Sequence, residues 1–257
     1  MGKRVFAIHA HPDDIEFMMA GTMILLKDAG CELYYMTVAN GSAGSAEYNR
    51  EEIIKIREAE SMKAAQYLGA TYISSITDDL CIFYDRSLIE KVSAIIRMVK
   101  PDILLVPSPQ DYMEDHVNTG RIAVTAAFTK GMKNYECDPP TACIDTDVTI
   151  YHAQPHYSRD ALRKVIQPDF FVDVSSVMKA KQDALRCHAS QKNWLDVSQG
   201  FDSYIETMNQ MMGELGAMSK KFSYAEGWRR HSHIGFSTKE IDPIRELLEG
   251  KLVVDNN

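Results

Sequence analysis

The sequence is poor in several features that would have announced a function. Its five cysteines (Cys31, Cys81, Cys137, Cys143 and Cys187) are scattered and odd in number. None has the close spacing of a metal-ligand pair or a disulfide framework, so reduced thiols in a cytoplasmic protein are the expected state. No apolar run approaches the ~18 residues that a membrane-spanning helix needs. Met1-Gly2-Lys3-Arg4-Val5 runs almost directly into an apolar segment without a cleavable apolar region, so no secretory signal is expected. Phe6 breaks the myristoylation pattern that Gly2 would open. Positive charge is scarce, with 28 Lys and Arg against 36 Asp and Glu and a net charge of −8. Non-specific attraction to nucleic acid or to an anionic membrane is therefore disfavoured. Internal repeats and low-complexity linkers are missing. No Gly-rich dinucleotide fingerprint or phosphate-cradling loop follows the first strand, which argues against a nucleotide-binding module.

What is present is an ordinary globular composition, 45% hydrophobic and 25% charged over 257 residues. That length suits one domain spanning residues 1–257, with residues 190–257 as a C-terminal extension. Apolar strand-like runs alternate with helical patterns through the first two thirds. Strands are expected at Val5-Phe6-Ala7-Ile8 and at residues 33–38, 71–76, 103–106, 148–151 and 170–174. Helices are expected over residues 15–28, 51–68, 87–99, 119–130 and 176–189, with Gly30 and Gly69 as stop signals. Residues 203–220 read as a Met-rich helix whose Met208, Met211, Met212 and Met218 fill a core or an oligomer contact. Near-continuous apolar strands separated by helices predict an α/β fold, a Rossmann-like three-layer sandwich with a mainly parallel central sheet.

The chemistry concentrates where strands end. His11-Pro12-Asp13-Asp14-Ile15-Glu16 follows the first strand, and loops at the carboxyl ends of strands are where ligands bind in such sheets. Two adjacent carboxylates repel each other unless something positive compensates, and a divalent cation beside the His11 imidazole would do so. The competing reading is that Asp13 or Asp14 merely caps the next helix. A second segment, Pro107-Ser108-Pro109-Gln110-Asp111-Tyr112-Met113-Glu114-Asp115-His116, also follows a strand. In the strand order 3-2-1-4-5 the two segments meet in one crevice, which brings His11, Asp14 and His116 together. Two histidines and a carboxylate with one open position are a usual catalytic zinc arrangement, though iron or cobalt would also suit.

These motifs resemble the PIG-L/LmbE-like de-N-acetylases, a family of deacetylases of N-acetylglucosamine conjugates. Further matches are the Asn40-Gly41-Ser42-Ala43-Gly44-Ser45 loop, Ile56-Arg57-Glu58-Ala59-Glu60, the segment from Lys181 to His188-Ala189-Ser190-Gln191, and Tyr224-Ala225-Glu226. The resemblance spans positions 4 to 230. It implies a zinc-dependent hydrolase removing an N-acetyl group from an amino-sugar conjugate, with Zn2+ held by His11, Asp14 and His116 (Fe2+ being an alternative ion). It also implies Asp13 as general base, Asp115 orienting a ligand, Arg57 and His188 near substrate, and a homo-oligomer. Hydrolysis of another amide, such as a thiol conjugate, and a metal-retaining binding protein are the readings that compete.

One position departs from the family. Many relatives carry His-X-Asp-His where this chain has Met113-Glu114-Asp115-His116, and Met113 can donate neither a proton nor a hydrogen bond. Tyr112 and His188 are the polar groups that the sequence offers in its place. His9 is expected to pack in the strand layer, His152 and His156 to lie at the pocket rim or in ordinary loop, and His231-Ser232-His233 to be a C-terminal loop rather than a metal pair.

Overall fold

The computed structural model describes residues 2–191, 204–248 and 253–255. The expected helix start at Ser203 and part of the expected C-terminal extension lie outside them. Eight strands form one sheet in the order β3-β2-β1-β4-β5-β7-β6-β8. These are β1 Arg4–His9, β2 Glu32–Thr37, β3 Ala70–Ile73, β4 Ile103–Val106, β5 Thr149–Ala153, β6 Phe170–Asp173, β7 Ala225–Arg230 and β8 Val253–Asp255. The first five run parallel in the expected order 3-2-1-4-5. The far edge is antiparallel: β7 pairs with both β5 and β6, and β8 pairs with β6. The last third of the chain thus places a strand inside the sheet.

Alternation along the strands divides the core into two layers. Val5 and Ala7 of β1 and Ile103 and Leu105 of β4 face one apolar cluster. Phe6, Ile8, Leu104 and Val106 face the other. The second layer is closed by α4 (Arg86–Val99) and α5 (Glu114–Thr129). The first is closed by α1 (Asp14–Met18), α2 (Ala20–Asp28), α6 (Met178–Leu185) and α7 (Tyr204–Ser219). Met208, Met211, Met212 and Met218 of α7 pack into that layer as filling. Among the described residues the remaining α-helices are α3 (Arg50–Leu68) and α8 (Pro243–Leu248). Asn49 starts α3 with a capping box shared with Glu52, and Gly69 ends it in the left-handed region.

Two boundaries differ from expectation in ways that matter. Helix α5 begins at Glu114 rather than near residue 119, so Asp115 and His116 lie in its first turn and not in a loop. The segment 15–28 is two helices broken at Met19. The break exposes the first N–H groups of α2 deep in the protein, and Glu226 of β7 caps them by accepting from Gly21 N and Thr22 N, both at 2.8 Å. Lys181 Nζ donates to the same carboxylate at 2.5 Å and to Phe17 O at 3.0 Å. Both side chains are fully buried.

Removing one partner of such a pair leaves an uncompensated buried charge. Lys181→Met is expected to lose about 3–5 kcal/mol of stability in urea unfolding. Lys181→Met/Glu226→Gln should lose less, because the orphan charge goes with it. Equal losses would mean that charge compensation is not what the pair contributes.

Candidate active site

Strands β1 and β4 are neighbours, and the chain leaves each at its carboxyl end. The loop after β1 carries His11 to Asp14, and the loop after β4 leads through Asp111 into α5. Between them lies a cavity of about 270 Å³, lined by His11, Asp13, Asp14, Arg57, Tyr112, Met113, His116 and His156 among others.

The Asp14 carboxylate is the hub. Its Oδ2 accepts the His11 backbone N–H at 2.8 Å. The same oxygen lies 2.8 Å from His9 Nδ1, 3.5 Å from His11 Nδ1 and 3.3 Å from His116 Nε2. Two of these rings are held from behind by carboxylates. His11 Nε2 lies 2.9 Å from Asp115 Oδ2, and His116 Nδ1 lies 3.1 Å from Asp111 Oδ1. With the far nitrogen protonated towards its carboxylate, the near nitrogen turns a lone pair to the centre, which is how metal-binding histidines are oriented. His9, Asp14 and His116 present ligand atoms that all lie within 4.8 Å of one another, a group that can hold a metal ion.

The charge balance also asks for a cation. Burial disfavours a charged His11 ring, but Asp115 and Asp14 outweigh it and raise the ring's pKa to about 9. Burial acts the same way on His116, which Asp14 and Asp111 hold well above the ordinary imidazole range. The donor set thus draws protons to the place where a divalent ion would displace them.

Asp13 differs from its neighbour in backbone conformation and in the groups that face its carboxyl. Its backbone is left-handed, with φ of 102°, and its side chain makes no helix-capping bond. The capping reading of the Asp pair therefore does not describe this residue. Tyr204 Oη donates to Asp13 Oδ2 at 2.5 Å, and Arg57 Nη2 lies 3.6 Å from the same oxygen. Burial raises the Asp13 pKa, Arg57 opposes that, and Asp14 adds to it. For Asp14, burial is outweighed by His116 and His9, which hold it well below the ordinary value. Two adjacent carboxyls with pKa values pushed apart are an acid–base assignment in the making.

Arg57 reaches the cavity from α3, beneath the glycine loop. Its guanidinium donates to Pro12 O and is only 3% exposed, so it is a buried group of the site and not a surface cation. A Cβ at Gly41, where φ is 78°, would overlap the Arg57 side chain, and one at Gly44 would press on its Nη1. Asp79 holds the loop by accepting from Gly41 N at 2.8 Å and Ala43 N at 2.9 Å.

Other expected residues lie elsewhere. His188 is fully buried behind the cavity, with Nε2 3.3 Å from Glu16 Oε2, and is not among the lining residues. Met113 lines the cavity, and Tyr112 stands at its edge with its ring against His116 and His156. His152 is structural: its Nδ1 lies 3.0 Å from Pro107 O and its Nε2 lies 2.9 Å from His231 Nδ1. Sequence reasoning missed Asp111 behind His116 and Tyr204 on Asp13. The Asp111–His116 spacing was visible, but no local signal marked Tyr204, which lies 191 residues from its partner.

The comparisons with known proteins agree with this geometry. Residues 6–127 match the PIG-L family, described as GlcNAc-PI de-N-acetylase. The chain is 29% identical over 233 residues to diacetylchitobiose deacetylase of Thermococcus kodakarensis, covering 88% of this chain and 82% of that protein. It is 24% identical over 199 residues to 4-oxalmesaconate hydratase of Pseudomonas putida, covering 74% of this chain and 75% of that protein. The fold superposes with a TM-score of 0.74 on N,N'-diacetylchitobiose deacetylase from Pyrococcus horikoshii, at 22% identity, covering 94% of this chain and 88% of the other. The strand-end motifs lie within residues 6–127, the part of this chain that matches the PIG-L family, and the sheet that carries them is similar to that of the Pyrococcus horikoshii deacetylase.

Proposed function

We propose that this protein is a zinc-dependent hydrolase that removes an N-acetyl group from an amino-sugar conjugate. The observation that carries the reading is the pair of adjacent buried carboxyls in opposite environments, Asp14 among three imidazoles and Asp13 against Tyr204 and Arg57. The deacetylase relative supports the substrate class, and the mixed nitrogen and oxygen donors support zinc, with Fe2+ as the alternative. The reading extends to a homo-oligomer in the cytoplasm, built as one domain over residues 1–257.

His11, Asp14 and His116 are assigned as the ligands. His11 lines the cavity and Asp115 fixes its tautomer. His9 is the geometric competitor, yet it is not among the cavity-lining residues, and its Nδ1, 2.8 Å from Asp14 Oδ2, is placed to donate to that carboxylate. It serves better as a brace under Asp14. A divalent ion held by these residues supplies Lewis acidity, which makes water more acidic and polarises a carbonyl. Asp13 Oδ2 is engaged by Tyr204, leaving Oδ1 to take a proton from the water that attacks the acyl carbon. When the C–N bond breaks, that proton passes to the leaving amine, so acetate and a free amino sugar result. Tyr204 keeps the base oriented, and Arg57 keeps it from swinging out of the cavity.

A second reading is favoured by Met113 and by the hydratase relative. Adding water to an unsaturated carboxylic acid needs the same activated water and base but has no leaving amine to protonate. Acetate release from N-acetylated sugars, measured beside loss of ultraviolet absorbance from unsaturated di- and tricarboxylates, separates the two. Acetate release is the expected result, and hydration alone would overturn the reading.

Metal analysis separates the ligand sets. His11→Ala, Asp14→Ala and His116→Ala should each lose metal, while His9→Ala should retain it near stoichiometry. The reverse pattern for the two histidines would move the site one residue pair inward. Asp13→Asn should keep its metal and lose about 10²–10⁴ in rate, the usual worth of general acid–base catalysis. Tyr204→Phe removes one hydrogen bond to a charged group, so kcat should fall about 10–100-fold. In the Asp13→Asn background the same change should cost almost nothing, since Tyr204 acts through Asp13. Additive losses would place Tyr204 outside that role.

A further inference from the structure

Attack on an acyl group moves negative charge onto its oxygen, and a donor fixed in the cavity wall lowers the cost of that charge. The groups lining the cavity can be sorted by what they have left to donate. Arg57 Nη2 is committed to Pro12 O and faces Asp13, and its Nε, unpaired among the described residues, is fully buried and not open to the cavity. Gln191 Nε2 donates to Gly44 O at 3.0 Å. His11 and His116 turn their cavity-side nitrogens to Asp14. The Met113 side chain has no donor, and its backbone N–H is spent on Asp111 Oδ1 at 3.1 Å. Tyr112 is 49% exposed at the rim.

His156 is different. Its ring lines the cavity, packed against Phe17 at 5.1 Å and Tyr112 at 5.9 Å between centroids. Among the described residues neither ring nitrogen has a hydrogen-bond partner. Burial lowers the ring's pKa to about 4, so it is a neutral imidazole with one N–H to give, and a nearby dication would keep it neutral. A neutral imidazole is a competent electrophile towards a carbonyl oxygen.

The backbone is built to hold this ring in place. His156 follows β5, and the next two residues are both left-handed, Tyr157 with φ of 52° and Ser158 with φ of 50°. Neither is glycine, and such conformations persist only where the surroundings impose them, often beside functional sites. Ser158 is pinned on both sides, its N–H donating to Pro155 O at 2.9 Å and its carbonyl accepting from Ile166 N at 2.8 Å.

We propose that His156 is a catalytic residue whose ring N–H donates to the oxygen of the scissile acyl group, opposite the Asp13 base. It thereby fills the place that Met113 leaves without a donor. The inference rests on the hydrolase reading above. It involves no covalent step: the imidazole keeps its proton, and the bond to the acyl oxygen tightens as charge develops.

The test uses the metal-loaded protein with diacetylchitobiose as probe, comparing His156→Phe and His156→Gln with wild type and with Asp13→Asn. His156→Phe fills the same space without a donor and should lower kcat about 10²–10³-fold, the usual effect of losing one oxyanion donor, with metal content and KM little changed. His156→Gln retains an N–H and should recover much of the loss. Wild-type kcat in His156→Phe, equal impairment of the Phe and Gln variants, or loss of metal from His156→Phe would each overturn the assignment. A wild-type protein inactive on every N-acetyl sugar would instead overturn the hydrolase reading. An active wild type inactivated by Asp13→Asn but indifferent to His156→Phe would overturn only the inference about His156.

Discussion

Four carboxyls, those of Asp13, Asp14, Asp111 and Asp115, are buried at the ends of β1 and β4, and none is more than 8% exposed. Each would cost several kcal/mol if left uncompensated away from water. The surroundings answer that constraint. Three imidazoles converge on Asp14, Asp111 and Asp115 each hold the back of one ring, and Leu80 N donates to Asp115 Oδ2 at 2.8 Å. What remains at the centre is a set of lone pairs around one oxygen, which suits a divalent cation.

The same crowding divides two chemically identical neighbours. Asp14 enters α1 with helical geometry and faces the imidazoles, whereas the left-handed backbone of Asp13 turns its carboxyl to Tyr204 and Arg57. A left-handed non-glycine residue costs on the order of 1–3 kcal/mol, and tertiary contacts have to sustain it. Here they come from three distant elements: Tyr204 from α7, Arg57 from α3, and the glycine loop over Arg57 held by Asp79.

The helix break at Met19 belongs to the same construction. It lets α1 be short and present Asp14 and Glu16, while α2 departs along the sheet with its own buried cap. That cap comes from Glu226, which Lys181 holds in turn, and both stand in the segments that carry the resemblance in the sequence beyond residue 127. Their role is to secure α2 beneath the site and not to touch substrate. Motif residues thus sort into two kinds, those that line the cavity and those that hold its floor.

The sheet order of the first five strands and the crevice between β1 and β4 were legible in the sequence, because apolar runs, glycine stops and right-handed crossovers are local rules with few solutions. The sequence by itself also determined the chemical inventory at that crevice: His11, Asp13, Asp14 and His116, each within a few residues of a strand end. Tertiary structure alone decided which carboxyl stands behind which ring, for Asp115 lies against His11 and Asp111 against His116. It decided that His188 sits behind the cavity while His156 lines it, and that Tyr204 closes on Asp13 across 191 residues. The physical reason is that spacing along a chain sets which face of one element a residue occupies, whereas a hydrogen bond across the site depends on how several elements pack. No periodicity in α7 marks Tyr204 as more than the first turn of an apolar helix. Its ring packs on Phe17, at 5.1 Å between centroids, while its hydroxyl reaches the base.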